Sequence, residues 1–144
     1  ICAKVAEIGL TELRLTQEAA HDPLLGTIPE GARVGQYHVD TMAVLPVGAV
    51  LLAETQDCAH QAYRLGERAW GIQFHAEVTR EMISSWAYAG ANELHGTPAE
   101  LLAQTDGLIE TWNDAGRRLY ERRGFTYQSH RMRLPVRGGP TERR

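Results

Sequence analysis

The residues of this chain whose types and spacing could do chemistry are two histidine–carboxylate pairs, His75 with Glu77 and His38 with Asp40. The first lies in Gly71-Ile72-Gln73-Phe74-His75-Ala76-Glu77, directly after a short apolar segment. An imidazole held at one ring nitrogen by a carboxylate has a fixed tautomer. A general base for a thiol or hydroxyl nucleophile needs that arrangement. Side chains alternate faces along a strand, so residues 75 and 77 would point the same way at a strand end. By spacing alone, the same pair also reads as a surface histidine beside a helix-starting acid.

His38 and Asp40 repeat the spacing. Two imidazoles and two carboxylates would suit zinc, iron or manganese if the pairs met. No third histidine stands at ligand spacing, so no metal or other cofactor is expected, and loop hydrogen bonding accounts for His38 and Asp40 equally well. A nucleophile is harder to find. Cys2 follows Ile1 and lacks the glycine-flanked turn that exposes a nucleophile. Cys58, in Thr55-Gln56-Asp57-Cys58-Ala59-His60, reads as a small core residue. His21, His60, His95 and His130 have no acidic or cysteine partner at a useful spacing and read as surface or loop residues.

The chain that must position these groups has 144 residues, 43% of them apolar, enough for one domain with a real core. Its formal net charge of −3 gives no reason to expect nucleic acid or an anionic membrane as partner. Nine arginines from Arg117 onward make a basic end that reads as a solvated tail. No apolar stretch approaches the roughly 20 residues of a membrane span. The opening Ile1-Cys2-Ala3-Lys4 does not read as a signal peptide. Two cysteines do not make a disulfide framework, so a reducing, cytoplasmic setting is the expectation.

Residues 7–15 alternate apolar and polar with a slip between Leu10 and Leu13, which predicts a bulged strand. From His21 to Gly35, Pro and Gly predict a turn or short helix starting at Asp22-Pro23 and ending at Pro29-Glu30-Gly31. Gln36 to Met42 predicts a strand and loop, Pro46-Val47-Gly48 a turn, and Val50 to Ala53 a short buried strand. Gln61–Leu65 and Ala69–Phe74 predict a hairpin around Gly66-Glu67-Arg68. Met82, Ile83, Trp86 and Ala87 then follow helical spacing. Thr97-Pro98-Ala99-Glu100 has the hydroxyl, proline and glutamate of a helix start. The apolar stripe behind it predicts one helix to about Arg123, about 39 Å long at 1.5 Å per residue. Beyond Thr126 no periodicity survives, and a disordered tail over 126–144 is expected.

Several segments, in order, resemble one family. Tyr37-His38-Val39-Asp40, Leu45-Pro46-Val47-Gly48-Ala49 and Leu51-Leu52-Ala53 are similar to the "WHxD … LPxGA … LA" stretch of class I glutamine amidotransferase domains. Gln61-Ala62-Tyr63-Arg64 resembles their "QAFR". Gly71 to Glu77 resembles their "GxQFHPE", with Ala76 for the usual Pro. Glu7-Ile8-Gly9, Asp22-Pro23-Leu24 and Gly116-Arg117-Arg118-Leu119-Tyr120 resemble a stand-alone subgroup similar to the amidotransferase domain of guanylate synthetase.

The resemblance covers about residues 3 to 125. It implies an α/β, flavodoxin-like fold with a central, largely parallel sheet. It also implies hydrolysis of glutamine to glutamate and ammonia through a cysteine thioester. His75 would be the base, Glu77 its orienter, and the segment around His38 and Asp40 would border the glutamine pocket. The family nucleophile sits in a G-x-C-x-G elbow, which this sequence lacks. Ile1-Cys2 matches only the opening of one, making Cys2 the candidate nucleophile. The expectation is therefore a partial domain over 1–125, corresponding to the C-terminal portion of the family domain and inactive by itself. The implied partners are glutamine or a related amide and an ammonia-accepting synthase domain, and the sheet edge and apolar stripe that a half domain exposes make a second copy of the chain a further candidate. A non-catalytic, amidotransferase-like binding or scaffold protein is the alternative.

Overall fold

The computed structural model describes residues 2–90, 97–106, 120–121, 126–128 and 131–133, with backbone only for 2–5 and for the last two segments. The first strand, β1 (Cys2–Glu12), is longer than the alternation predicts and pairs antiparallel with β3 (Arg33–Met42). Its register shifts between Lys4 and Glu7. The slip read between Leu10 and Leu13 is a break: Leu13 is fully buried, and the chain resumes as β2 (Arg14–Leu15). The change of face at Leu13 moves the chain from one sheet to the other. β2 begins a four-stranded antiparallel sheet, ordered β2-β4-β5-β6, with β4 (Ala49–Glu54), β5 (Ala62–Leu65) and β6 (Ala69–Ile72). All strand pairs among the described residues are antiparallel, so the parallel pairing implied by the resemblance is not found in this part.

A 3-10 turn, Gln17–His21, leads into the Pro- and Gly-rich segment, which itself forms a second, Leu25–Thr27. Buried Asp22 holds them, accepting from the backbone N–H groups of Leu24 (2.8 Å) and Leu25 (3.0 Å). The same carboxylate accepts from Arg64 Nε (3.0 Å) and Trp70 Nε1 (3.2 Å), which ties the turns to the β5–β6 hairpin. That hairpin turns at Gly66, whose φ of 62° lies where a side chain is disfavoured.

α1 (Arg80–Ala89) starts at Thr79, whose hydroxyl accepts from Met82 N–H, and buries Ile83 and Ala87. α2 (Pro98–Thr105) has the full capping box expected from its sequence, with Thr97 and Glu100 bonded reciprocally. Its length differs from the expectation. The helix stops at Thr105 because Asp106 is extended (φ −62°, ψ 120°) and its carboxylate accepts from Arg80 Nε at 2.6 Å. The apolar stripe after Asp106 falls on residues 107–119, outside the described residues. Thr126–Gln128 and Arg131–Arg133 pair as a short antiparallel ribbon, β7 and β8, where the sequence led us to expect disorder.

The core lies between the two sheets and under the helices, with Leu13, Leu25, Val34, Leu52, Val78 and Ile83 almost wholly buried. No helix among the described residues is long and apolar enough to cross a membrane.

Candidate functional site

β6 ends at Ile72, three residues before His75, so strand alternation does not bring His75 and Glu77 together as the sequence reading supposed. His75 instead makes an isolated antiparallel bridge to Gly35 of β3, its N–H donating to Gly35 O at 2.8 Å, and the chain turns through Ala76 and Glu77. Gly35 has to be glycine for this approach. A Cβ there would lie 2.8 Å from Val78 Cγ1 and 3.5 Å from the carbonyl oxygen of His75. Buried Phe74, Ala76 and Val78 anchor the same turn from below. The turn therefore exposes every second residue while its backbone is clamped to β3.

In that frame His75 Nδ1 lies 2.8 Å from Glu77 Oε1. The contact selects the tautomer protonated at Nδ1 and leaves Nε2 as the basic nitrogen. The side chains are 34% and 43% exposed, so the pair is open to solvent on one side. Burial works against the charge of Glu77. The hydrogen bond from His75, the backbone, the charge of His75 and the Tyr120 hydroxyl outweigh it and hold the carboxyl below its usual range. The Tyr120 hydroxyl is pushed up, by burial first and then by the neighbouring Glu77 charge. The His75 ring also packs on Trp86 of α1, centroids 4.8 Å apart and planes tilted by 51°. Trp86 in turn stacks on Tyr37 of β3, at 5.0 Å and 17°.

The second pair is not a second copy of the first. His38 is nearly buried against Glu7, with Nε2 3.1 Å from Glu7 Oε2 and side-chain exposures of 9% and 4%. That distance suits an ion pair but falls outside hydrogen-bond angles. Glu7 also accepts from Thr55 Oγ1 (2.7 Å) and Gln61 Nε2 (2.5 Å). Asp40 is exposed, and only its carbonyl approaches the His75 turn, accepting from Gln73 Nε2 at 3.3 Å. Among the described residues no three His, Cys, Asp or Glu side chains converge to hold a metal, and the two pairs do not meet.

Neither cysteine is placed to serve His75. The backbone of Cys2 pairs with Met42, whereas His75 bridges to Gly35. Those positions are seven residues apart along β3, about 23 Å at 3.3 Å per residue. A base must reach its nucleophile within about 3.2 Å, and the backbone pairing does not bring Cys2 to His75. Cys58 is buried, with Sγ 2.6 Å from Thr41 Oγ1, as a core residue should be. His60 is a loop residue with Nδ1 2.6 Å from Met42 O, while His95 and His130 lie outside the described residues.

No family model matches the chain. It is 41% identical over 73 residues to "GMP synthase [glutamine-hydrolyzing]" of Porphyromonas gingivalis, a match covering 50% of this chain and 14% of that protein. It is 28% identical over 107 residues to the glutamine amidotransferase-like protein YfeJ of Salmonella typhimurium, covering 74% of this chain and 44% of that one. Its structure superposes on a glutamine amidotransferase of Thermotoga maritima with a TM-score of 0.70 and 26% identity, over 85% of this chain and 54% of that chain. A glutamine amidotransferase of Methylobacillus flagellatus gives a TM-score of 0.70 and 28% identity over the same shares. In sequence and fold the chain is similar to class I glutamine amidotransferases. Its fold is α/β, as theirs is, and it spans less than half the length of these two curated relatives.

Within the amidotransferase-like domain, the residues that carried the resemblance separate into two places. Glu7, His38 and Gln61 belong to three different motif segments and meet in one buried cluster. His75 and Glu77 stand apart at an open edge. Three side chains at that edge were missed as site residues: Trp86, Tyr37 and Tyr120 were read only as helix stripe or motif letters. Their aromatic type at the start of a chemical motif and on the adjoining helices was the available signal.

Proposed function

We propose that this domain supplies the base and its orienting carboxylate for a cysteine-dependent glutamine amidohydrolase reaction, in which glutamine gives glutamate and ammonia through a thioester. His75 Nε2 takes the thiol proton and later passes a proton to the departing ammonia. Glu77 keeps the ring in the right tautomer and stabilises the imidazolium that forms. The 2.8 Å contact between His75 Nδ1 and Glu77 Oε1, on a turn clamped to β3, carries this reading. In this reading the thiol comes from another segment or chain, since Cys2 pairs with Met42 and Cys58 is buried against Thr41. The segment at His38 to Asp40 borders the glutamine site through its backbone and the exposed Asp40, with His38 committed to the core. A synthase domain that takes up the ammonia is the partner this reading calls for, given the likeness to a glutamine-hydrolysing GMP synthase.

The test is glutamine hydrolysis by the full protein that carries this chain. His75→Asn should lower the rate by about 10²- to 10⁴-fold, the usual share of a positioned general base. An unchanged rate would remove His75 from the chemistry.

A second reading, a non-catalytic amidotransferase-like binding protein, is favoured by the distance of both cysteines from His75. A glutamine-derived chloroketone separates the two. Stoichiometric labelling of a thiol in the full protein, abolished by His75→Asn, supports the enzyme; no labelling of any thiol supports the binding protein.

A further inference from the structure

The His75–Glu77 pair is exposed, and an exposed ion pair is weakly held, because each side chain keeps rotamer freedom and water screens the attraction. A base that must be ready in one orientation needs other restraints. The structure supplies two, from different elements. Trp86 comes from α1 and meets the imidazole ring at a tilt of 51° with centroids 4.8 Å apart, itself backed by stacked Tyr37 of β3. Tyr120 packs against the core, and its hydroxyl helps to hold the Glu77 carboxyl below its usual range.

We propose that Trp86 and Tyr120 are positioning residues, Trp86 fixing the plane of the His75 ring and Tyr120 fixing the carboxylate that orients it. Neither touches a reacting atom. Trp86 is a large, flat side chain that stops the imidazole from rotating about its Cβ–Cγ bond, a torsion with broad and shallow wells. Its indole face is electron-rich, so it also suits the imidazolium formed when the base takes its proton. Tyr120, as a second partner of Glu77, would limit the rotamers open to that carboxylate. The four side chains thus form a relay of contacts, Tyr120 to Glu77 to His75 to Trp86, in which the solvent-facing pair is bracketed by two partly buried aromatics. This inference rests on His75 acting as the base.

The experiment has two arms, on Trp86→Leu, Trp86→Phe and Tyr120→Phe. In the chain itself, ¹⁵N NMR of the His75 ring reads the tautomer. Nδ1 should carry the proton in the parent. Trp86→Leu and Tyr120→Phe should each shift the Nδ1 signal toward the exchange-averaged position of a free imidazole, and Trp86→Phe should restore most of the parent signal. Tyr120→Phe keeps the ring that packs on the core, so a shift there reports the lost hydroxyl and not lost folding. In the full protein, Trp86→Leu should lower kcat by about 10- to 100-fold with KM little changed, the signature of a misaligned base. Parent-like tautomer signals and kcat in Trp86→Leu and Tyr120→Phe, beside a dead His75→Asn, would overturn this inference and leave the base intact. An active His75→Asn would overturn the base, while the NMR arm would still decide whether the two aromatics position the ring.

Discussion

The domain contains two histidine–glutamate contacts built on opposite principles. His75 and Glu77 are 34% and 43% exposed and 2.8 Å apart, close in sequence and joined by a turn. His38 and Glu7 are 9% and 4% exposed and 3.1 Å apart, and they come from paired positions on different strands. At the open pair, water can share the charge, so the contact costs little and contributes little to stability. At the buried pair, Glu7 has lost water on all sides. Thr55, Gln61 and His38 replace it, and losing Glu7 would remove the one carboxylate they share. One pair is therefore open to solvent, and the other ties β1 and β3 to the segment between β4 and β5.

Removing each acid should expose that difference. Glu7→Ala should cost about 3–5 kcal/mol in urea unfolding, the range for breaking a buried charged network; a loss under about 1 kcal/mol would show that the buried cluster is not structural. Gly35→Ala should come next. It pushes a methyl into Val78 and the His75 carbonyl, for about 1–3 kcal/mol of overpacking, and it should shift the His75 amide signal in the NMR spectrum. An unchanged His75 signal would disconnect the site from β3.

Gln36 offers a test within the buried region. It is fully buried beside Glu7 and His38, and neither atom of its amide has a hydrogen-bond partner among the described protein groups. Gln36→Met should leave stability the same or raise it by about 1 kcal/mol, because the substitution removes an unsatisfied amide while keeping the volume. A loss above about 1 kcal/mol would mean that the amide is bonded in solution.

The smallest stability effect belongs to Glu77→Gln, within about 0.5 kcal/mol at neutral pH. Its pH dependence has a definite sign. The carboxyl is held below its usual range when folded, so its contribution is present above the unfolded value and lost as pH falls through the folded one. Carbon-detected titration of the Glu77 carboxyl should therefore show its midpoint below that of a free glutamate, and Tyr120→Phe should move it up. A midpoint at or above the free value would break the assigned contacts.

Much of this was legible in the chain. The capping box at Thr97, the turn at Gly66 and the strands around Val50 and Arg64 depend on neighbours a few residues away, and such preferences are written locally. The pairing of His75 with Glu77 was also readable, from spacing and from motif order. Its mechanism was not, since a turn and the bridge to Gly35 bring the two together where alternation along a strand was expected. The long helix failed for a related reason. The apolar stripe continues past Asp106, but the Arg80 contact and the extended backbone at Asp106 end the helix. Periodicity records which residues want burial without saying whether one straight element provides it.

The sequence by itself determined the family likeness, the residue types of the site and most element positions, because these follow from local order along the chain. Tertiary structure alone decided which histidine is open to solvent and which is buried, since burial is a property of what folds over a residue. It also decided that Cys2 lies about seven residues of strand, roughly 23 Å, from the base. Distance across a sheet is set by pairing register, here Cys2 with Met42 and His75 with Gly35, and no local spacing encodes it.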